Sequence, residues 1–324
     1  MNILQKIQKD LAPELERLER TMHSSLCAAN PMLQGIVTSN LSHKGKLIRP
    51  ITVILAARLL GGVNDKVIES AAAVELLHNA SLVHDDVVDG SLTRRGEPTV
   101  NAVWHNHVAV LVGDYYVSTS MQLAIRTGNI RIIEAICELG RRLSLGELDQ
   151  IYNARYHTLT EEAYYQIIDY KTASLFKACA RMAACSLDID DARSEALVHF
   201  AGLLGLCFQV RDDIFDYYDD PAIGKPTGND LREGKITLPL LHVLLADRSH
   251  GDTAMYNLSQ HEQLTDSEID TLMAYARDNG GIDYAYDAMR RMRDEAVQTL
   301  DIFSDSPTKT QLIELFDYII ARNY

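Results

Sequence analysis

The stretch DKVIESAAAVELLHNASLVHDDVVDGS, residues 65–91, is an apolar run that ends in a cluster of aspartates. Its residues are apolar on nearly every side of a helix until those aspartates, which is typical of a helix inside a bundle. Residues 190–219 show the same pattern, an apolar helical run that ends in aspartates, here DDIFD followed by YYD. Two such central helices predict a single large all-α bundle.

The rest of the chain has the same helical character. Apolar residues recur at i, i+3, i+4 and i+7, and no sustained alternation indicates strands. The eight prolines fall mainly at expected helix ends. The predicted helices are 2–28, 32–41, 47–61, 65–91, 99–127, 130–155, 160–186, 190–219, 236–248, 266–279, 282–303 and 308–322. Without a linker or a shift in composition, residues 1–324 are expected to form one domain.

Charge and cysteine content exclude several classes of partner. The 45 acidic residues exceed the 31 basic ones, a net charge of −14, which argues against a nucleic-acid partner and a basic membrane-binding patch. No uninterrupted apolar stretch reaches the roughly 18 residues of a membrane span. The N-terminus is charged and amphipathic, unlike a secretory signal. The five cysteines lack metal-type spacing, which predicts buried thiols in a cytoplasmic protein.

The two aspartate clusters are the strongest functional signal. Each has carboxylates at i, i+1 and i+4, so the first and last lie one helical turn apart on the same face. Mg²⁺ relieves their mutual repulsion and prefers one or two carboxylates together with substrate phosphates. One cluster alone is more often a solvated face, but two copies after apolar runs favour metal binding. A diphosphate-handling enzyme is predicted, with the metal ligands Asp85, Asp86, Asp89, Asp212, Asp213 and Asp216.

Basic residues near the clusters suit a diphosphate. Lys46 and Arg49 are predicted just inside a helix start, where anions bind readily. Arg94 and Arg95 follow the first cluster closely, and the fork of arginine suits phosphate oxygens. Lys171 lies in YKTASLF. Each alone is more often an ordinary surface charge, so their joint placement carries the prediction.

Residues 219–235, DDPAIGKPTGNDLREGK, form the one long irregular stretch. Ile236 stands where a P-loop needs Ser or Thr, so this is not a P-loop. Beside the second cluster, the segment is interpreted as a lid that carries Lys225 and Lys235. The alternative is a surface loop with two solvated lysines.

Three further polar residues lie on the apolar helices. His84 adjoins Asp85 and could pair with a carboxylate. His78, about two turns before Asp85, fits a core histidine and a phosphate ligand equally well. Gln209 shares a face with Asp212 and offers a neutral dipole where a charge would be costly to bury.

These motifs, taken in order, resemble the trans-prenyl diphosphate synthases, the polyprenyl synthetases of the all-α isoprenoid synthase fold. The matching pieces are GKLIRP, LLHNASLVHDDVVD, TRRGEPT, VLVGDY, GELDQ, YKTASLF, FQVRDDIFDY and GKPTGNDLREGKITLPL, over roughly residues 45–240. The fold that the resemblance implies is a large helical bundle around a central apolar cavity. The one departure is Leu47, where many relatives carry a third basic residue.

The resemblance also implies a role for each matched residue. Both clusters would bind several Mg²⁺ ions with the allylic diphosphate. That diphosphate would be held by Arg94, Lys171, Lys225 and Lys235, and isopentenyl diphosphate by Lys46, Arg49, His78 and Arg95. Thr172 and Gln209 would stabilise the carbocation, with Lys171 beside them as the third catalytic residue. The departing diphosphate would take the proton.

Product length is expected from the residues before Asp85. Ser81 and Ala80 are small where relatives with short products tend to carry an aromatic residue, and Leu77 lies one turn further on. This favours repeated condensation of a farnesyl- or geranylgeranyl-type primer to a medium or long all-trans product, such as a membrane-directed quinone side chain. Tyr115, Tyr116 and Met121 are candidate plugs.

Several alternatives remain open from the sequence. The chain resembles octaprenyl and heptaprenyl synthases, yet a short-chain farnesyl or geranylgeranyl synthase shares these motifs. It could also be the catalytic subunit of a heterodimeric synthase. A terpene cyclase would carry a different second metal motif, and a non-catalytic subunit would lack an aspartate cluster. The resemblance implies a homodimer, for which the apolar helix 99–127 could supply the interface.

Overall fold

A computed structural model describes residues 2–27, 30–42, 45–94, 96–156, 159–218, 227–261 and 263–322, with the backbone alone for residues 41 and 42. The described helices are α1 (Ile3–Asp10), α2 (Ala12–Ser25), α3 (Pro31–Ser42), α4 (Ile48–Leu60), α5 (Asp65–Val88), α6 (Val100–Arg126), α7 (Ile130–Tyr156), α8 (Glu161–Ile168), α9 (Ser174–Ser186), α10 (Ala192–Phe215), α11 (Asn229–Arg232), α12 (Leu238–Ser249), α13 (Ala254–Ser259), α14 (Asp266–Asp278), α15 (Gly281–Thr299) and α16 (Pro307–Ala321). Over these ranges the strands are β1 (Thr93–Arg94) and β2 (Glu97–Pro98), an antiparallel pair. The predicted all-α class is confirmed.

The chain folds into two compact units. Unit 1 comprises Met1–Arg141, Leu175–Ala201 and Thr299–Leu315. Unit 2 comprises Arg142–Ser174, Gly202–Gln298 and Phe316–Tyr324. The first aspartate cluster therefore belongs to unit 1 and the second to unit 2.

Helix α5 is the core of unit 1, as its composition predicts. The Asn64 side chain caps its first turn by accepting a hydrogen bond from the Val67 amide. Helices α2, α4 and α6 pack against it. Its contact with α6 is close enough for the Ser120 hydroxyl to donate to the Ala73 carbonyl over 2.7 Å.

In unit 2, helix α12 packs against α8, α13 and α14. The end of α10 is tied to the C-terminal segment, because Arg211 donates from Nε and Nη2 to the carbonyl of Arg322 at 2.9 and 2.6 Å. Arg211 is 7% exposed, so both hydrogen bonds are shielded from water and hold the chain end in place.

Local structure departs from the predicted helices at several places, including the short helices α11 and α13, which the sequence does not predict. The predicted helix 2–28 is broken at Leu11, and α2 begins with Pro13 in its first turn, a position proline tolerates. The predicted helix 160–186 is interrupted by a π-turn at Asp169–Ala173. The β1–β2 hairpin was not expected, because a pair of two-residue strands is too short to show alternation.

Among the described residues, one helix, Val100–Arg126, is long and apolar enough to cross a membrane by length and composition. About 44% of its most apolar window is buried inside the protein. The helix packs on α5, and Val112, Tyr116 and Leu123 are among its buried residues. This one-sided burial is typical of a helix at the edge of a core.

Candidate active site

The first aspartate cluster forms the last turn of α5. The Asp89 amide donates to the Asp85 carbonyl over 2.8 Å, so these two residues lie one turn apart, as predicted. Asp86 turns to a different partner. Its carboxylate is nearly buried and accepts hydrogen bonds from Nε and Nη2 of Arg94 at 2.8 and 2.7 Å. Arg94 therefore orients the middle aspartate of the cluster.

The hairpin explains why Arg94 reaches Asp86. Strand β1 pairs with β2 directly after α5, and Gly96 takes a φ of 81° in the turn between them. The Thr99 hydroxyl donates to the Ser91 carbonyl over 2.8 Å and closes the base of the hairpin. Arg95, the other predicted basic residue of this segment, lies outside the described residues.

His84 packs where α5 crosses α6. Its Nε2 lies 3.2 Å from the Val110 carbonyl and 3.5 Å from Oδ1 of Asp114. A Cβ on Gly113 would come within 2.1 Å of this ring, so only glycine leaves room for it. His84 thus pairs with a carboxylate of α6, one of the possibilities that the sequence left open.

The predicted isopentenyl ligands lie in unit 1. Lys46 precedes α4 instead of lying just inside it, because Leu47 adopts a left-handed conformation with φ 53° before the helix begins at Ile48. Arg49 is in the first turn, with its guanidinium 5.5 Å from the Phe176 ring centre. His78 is buried within α5.

The second cluster is organised by hydrogen bonds within unit 2. Asp213 accepts from the Tyr164 hydroxyl at 2.6 Å and from Nε2 of Gln209 at 2.8 Å. The Thr172 hydroxyl donates to Oε1 of Gln209 over 2.7 Å. Burial raises the pKa of Asp213 to about 7, and the neighbouring aspartates add to the rise.

The outer aspartates of this cluster have separate partners. Asp216 accepts the backbone amides of Asn229 and Asp230, both at 3.0 Å, at the start of α11. Asp212 is paired with Arg322, which also donates to the Phe208 carbonyl over 3.1 Å. Burial raises the pKa of Asp216 and of Asp230, while it lowers the pKa of Arg322.

Lys171 and Thr172 lie inside the π-turn, not on a regular helix as predicted. Such turns inside helices are frequent at functional sites. The Lys171 Nζ lies 2.6 Å from Oε2 of Glu147 and 3.2 Å from Oε1 of Gln150, both on α7. Gly146 permits this approach, since a Cβ there would meet the Lys171 amide at 2.8 Å.

Unit 2 contains a cavity of about 160 Å³. It brings together predicted site residues from separate parts of the chain, namely Lys171, Thr172, Gln209, Asp213 and Lys235. Lys235 is ion-paired with Glu233. Lys225 and most of the predicted lid, residues 219–226, lie outside the described residues, so the lid remains a prediction.

Sequence reasoning missed several residues of this region. Tyr164 and Asp230 line the cavity, and Glu147 pairs with Lys171. Glu147 stands in GELDQ, a motif for which the family resemblance implies no role in the site. Tyr164 lies seven positions before Lys171, about two helical turns, and this spacing is the sequence signal that places the two on one face.

The carboxylates suit Mg²⁺. Within the described ranges, no three acidic, histidine or cysteine side chains converge as a ready metal cage. Mg²⁺ rarely uses such a cage and is usually held by one or two carboxylates plus substrate phosphates. Asp85 and Asp89, one turn apart, offer such a pair. Asp86 and Asp213 are each held by hydrogen bonds from neighbouring side chains. Carboxylates that bind metals are usually oriented by such hydrogen bonds.

Curated relatives align along nearly the whole chain. The chain is 34% identical to octaprenyl diphosphate synthase of Haemophilus influenzae, and the alignment covers 99% of this chain and 98% of that protein. It is 31% identical to heptaprenyl diphosphate synthase component 2 of Geobacillus stearothermophilus, covering 98% and 97%.

Solved structures agree with the fold. A polyprenyl synthase of Caulobacter crescentus, crystallised with calcium and isoprenyl diphosphate, has a TM-score of 0.91 at 30% identity, covering 99% of this chain and 98% of that one. A geranylgeranyl pyrophosphate synthase of Bacteroides thetaiotaomicron has a TM-score of 0.85 at 36% identity, covering 99% and 100%. The helical isoprenoid synthase fold is thereby confirmed.

The family model for polyprenyl synthetase matches residues 30–276. That range includes both aspartate clusters and every predicted site residue. The chain therefore belongs to the polyprenyl synthetase family and is a prenyltransferase.

Proposed function

We propose that the chain is a Mg²⁺-dependent trans-polyprenyl diphosphate synthase. It condenses a farnesyl- or geranylgeranyl-type diphosphate with isopentenyl diphosphate repeatedly, and the product is a medium or long all-trans polyprenyl diphosphate, a precursor of a quinone side chain. The observation that carries this proposal is the unit 2 cavity, where two lysines, the Thr172–Gln209 pair and Asp213 line one space. We assign all of residues 1–324 to this one synthase domain.

The chemistry follows from the charges that the site offers. Mg²⁺ bound by the aspartates would neutralise charge that develops on the leaving diphosphate. In unit 2, Lys171 and Lys235 would add fixed positive charge at the cavity that they line. Arg94 in unit 1 is kept as a further proposed ligand of the allylic diphosphate. Thr172 and Gln209 present dipoles to the allylic cation, and the apolar cavity lining, including Ile168 and Leu241, keeps water away from it. The double bond of isopentenyl diphosphate attacks this cation, and the departing diphosphate takes the proton that is then lost.

The isopentenyl site is proposed in unit 1. Arg49 is half-buried in the first turn of α4 and lies against Phe176. Lys46 and the buried His78 complete the part of this site that falls in the described residues, and Arg95 is kept as a fourth ligand. The guanidinium of Arg49 and the ammonium of Lys46 suit the oxygens of a second diphosphate.

Product length is proposed to depend on α5. Two contacts fix how α5 and α6 pair: Ser120 with the Ala73 carbonyl, and His84 with the Val110 carbonyl. The intervening segment 77–81, with Leu77, Ala80 and Ser81, then lies opposite the part of α6 around Tyr116, which is buried. Met121 is instead exposed, so it is a poor plug. The octaprenyl relative supports a long product.

We propose a cytoplasmic homodimer. All five cysteines are free; three are buried as predicted, whereas Cys27 and Cys137 are exposed, so the prediction of buried thiols is wrong for these two. Free thiols fit a reducing compartment. The dimer would form through exposed apolar residues of α6. The Geobacillus relative is a component of a heptaprenyl synthase, so a catalytic subunit that needs a second protein is the alternative assembly.

The test is a product assay on the purified protein with Mg²⁺, isopentenyl diphosphate and farnesyl diphosphate, read by mass spectrometry. We expect a ladder that ends at one long all-trans diphosphate, and no product when EDTA replaces Mg²⁺. A geranylgeranyl product would favour the short-chain alternative. No product with both substrates would favour the two-component alternative, and a cyclic product from farnesyl diphosphate alone would refute synthase activity.

Aspartate variants provide matched controls for this assay. Asp85→Asn and Asp212→Asn each remove a proposed metal ligand, so turnover is expected to fall by at least about a hundredfold. Asp65→Asn alters a surface aspartate in the first turn of the same helix α5, 97% exposed, and should leave turnover unchanged. Activity that survives both cluster substitutions would defeat the proposal.

A further inference from the structure

A buried hydroxyl on α8 holds the middle aspartate of the second cluster. Tyr164 is 6% exposed and Asp213 is 3% exposed. The Tyr164 hydroxyl donates to Oδ2 of Asp213 over 2.6 Å, the short distance expected for a bond to a carboxylate. Nothing in the roles proposed so far requires this bond.

We infer that Tyr164 is a positioning residue for prenyl transfer. It fixes the side chain of Asp213, and through Asp213 it sets the direction of the hydrogen bonds made by Gln209 and Thr172. The inference rests on the proposed function, because a carbocation reaction is what needs those dipoles in one direction.

The direction follows from the chemistry of the four groups. Both observed contacts of the Asp213 carboxyl are accepted ones, from the Tyr164 hydroxyl to Oδ2 and from Nε2 of Gln209 to Oδ1, so Gln209 turns its amide NH₂ toward Asp213. The Gln209 carbonyl then faces the Thr172 hydroxyl, which donates to it over 2.7 Å. With its only proton used, the Thr172 oxygen has lone pairs left for the cavity that it lines.

The result is a chain of dipoles that starts at the Asp213 carboxyl and runs through Gln209 to Thr172. Hydrogen bonds in such a chain polarise one another, and in a dry site each one is stronger than in water. Oxygen lone pairs at the cavity wall favour a cation and disfavour an anion. Without the Tyr164 hydroxyl, Asp213 can rotate about its side-chain bonds, and Gln209 and Thr172 lose their fixed orientation.

The neighbouring Tyr165 offers a matched control. It lies on the same helix, and its ring contacts that of Tyr164 edge to face at 5.3 Å. The hydrogen bonds described for Asp213 come from Tyr164 and Gln209, not from Tyr165. Tyr164→Phe and Tyr165→Phe each delete one hydroxyl from α8, but only the first touches the Asp213 network.

The first experiment compares these two variants. For Tyr164→Phe we expect kcat with farnesyl diphosphate to fall about 10- to 100-fold, while the KM for isopentenyl diphosphate stays within about twofold of wild type. Calorimetry with Mg²⁺ and inorganic diphosphate should show binding about tenfold weaker. Tyr165→Phe should match wild type in both measurements. Equal behaviour of the two variants would overturn the inference.

A double-mutant cycle separates positioning from a general structural role. Tyr164→Phe and Thr172→Val disturb the two ends of one chain, so their effects on kcat should be strongly non-additive. Additive losses would show that Tyr164 acts independently of Thr172 and would refute the inference. If wild type forms no prenyl product, the proposed function fails, yet the calorimetry still tests whether Tyr164 orients Asp213.

Discussion

At the scale of single residues, the contact of Arg94 with the first aspartate cluster suits its proposed role as a ligand of the allylic diphosphate. Its Nε and Nη2 both bind Oδ1 of Asp86, which leaves Nη1 for a further anion. A planar guanidinium can serve two anions in this way, whereas an ammonium is a single point charge. The hairpin and the Asp86 carboxylate together hold the arginine in this orientation.

Arg94→Lys keeps the charge and removes this geometry. We expect the Mg²⁺ concentration for half-maximal activity to rise about tenfold, since residues that orient a metal ligand have effects of that size. Steady-state kinetics over a Mg²⁺ series would measure it. Arg131→Lys, at a surface ion pair with Asp188 and Asp190, is the control. If both variants show the wild-type Mg²⁺ dependence, Arg94 has no such role.

The residues that could be predicted are those whose pattern is local. The aspartates at i, i+1 and i+4 reveal themselves within five positions of one helix. The Tyr164–Asp213 contact spans 49 positions and the Arg322–Asp212 contact spans 110. Such pairs depend on how helices pack, which periodicity along the chain does not contain. Their discovery therefore required the three-dimensional structure.

At the scale of elements, the long helices follow from apolar spacing, but the π-turn at Asp169–Ala173 does not. A π-turn adds one residue within a helix, and residues 160–186 keep an apolar pattern that predicts one regular helix. On α7, the missing side chain of Gly146 leaves room for this turn to approach. Lys171 reaches Glu147 and Gln150 because of that approach.

Gly146→Ala is expected to displace the π-turn. The new Cβ would lie 2.8 Å from the Lys171 amide and 3.0 Å from Cβ of Tyr170, and backbone atoms cannot give way cheaply. We expect kcat to fall about 10- to 100-fold, since small displacements of catalytic groups have effects of that size. Turnover assays and circular dichroism would measure activity and folding.

The control for this prediction lies on the same helix. A Cβ at Gly140 would meet nothing within 4 Å, so Gly140→Ala should keep full activity and raise the free energy of unfolding by about 0.5–1 kcal/mol. If Gly146→Ala has the same effect as Gly140→Ala, the close approach of α7 to the π-turn is unimportant.

Helix α5 carries the prediction on product length. Ser81 is half-buried, and its hydroxyl donates to the His78 carbonyl over 2.9 Å. Ser81→Phe would fill the space one turn before Asp85, so the longest product should shorten by at least one isoprene unit. Ser81→Ala keeps that space open and should leave product length unchanged. Mass spectra of the same length for wild type and Ser81→Phe would place the elongation path elsewhere.

At the scale of the whole molecule, buried phenols couple stability to alkaline pH. Burial raises the pKa of Tyr116 to about 12, and it also raises the pKa of Tyr164, Tyr165 and Tyr217. These groups are protonated in the folded state at a pH where the unfolded chain, with tyrosine near pH 10, loses its protons. Their contribution to the free energy of unfolding is full below about pH 10 and declines as the pH rises toward 12.

Tyr116→Phe isolates one part of this effect. Tyr116 has a pKa of about 12 in the folded state and about 10 in the unfolded state. Its ionisation alone should therefore lower the free energy of unfolding by about 1.4 kcal/mol between pH 8 and pH 11. Urea unfolding at both pH values should therefore show a smaller loss for the variant than for wild type. An equal loss would mean that Tyr116 ionises as readily in the folded protein as in the unfolded chain.

Assembly is the remaining property of the whole molecule, and α6 is where it can be tested. Leu111 and Ile125 are 66% and 59% exposed, and their spacing of four helical turns places them on the same side. A second copy of the chain could cover this apolar side by two-fold symmetry.

Leu111→Glu would bury an unpaired carboxylate at that interface, at a cost of about 3–5 kcal/mol. We expect a dimer for wild type and a monomer for Leu111→Glu in sedimentation velocity. Ile302→Glu, at another exposed apolar residue outside α6, should remain a dimer. If Leu111→Glu sediments as wild type does, the interface must lie on another surface.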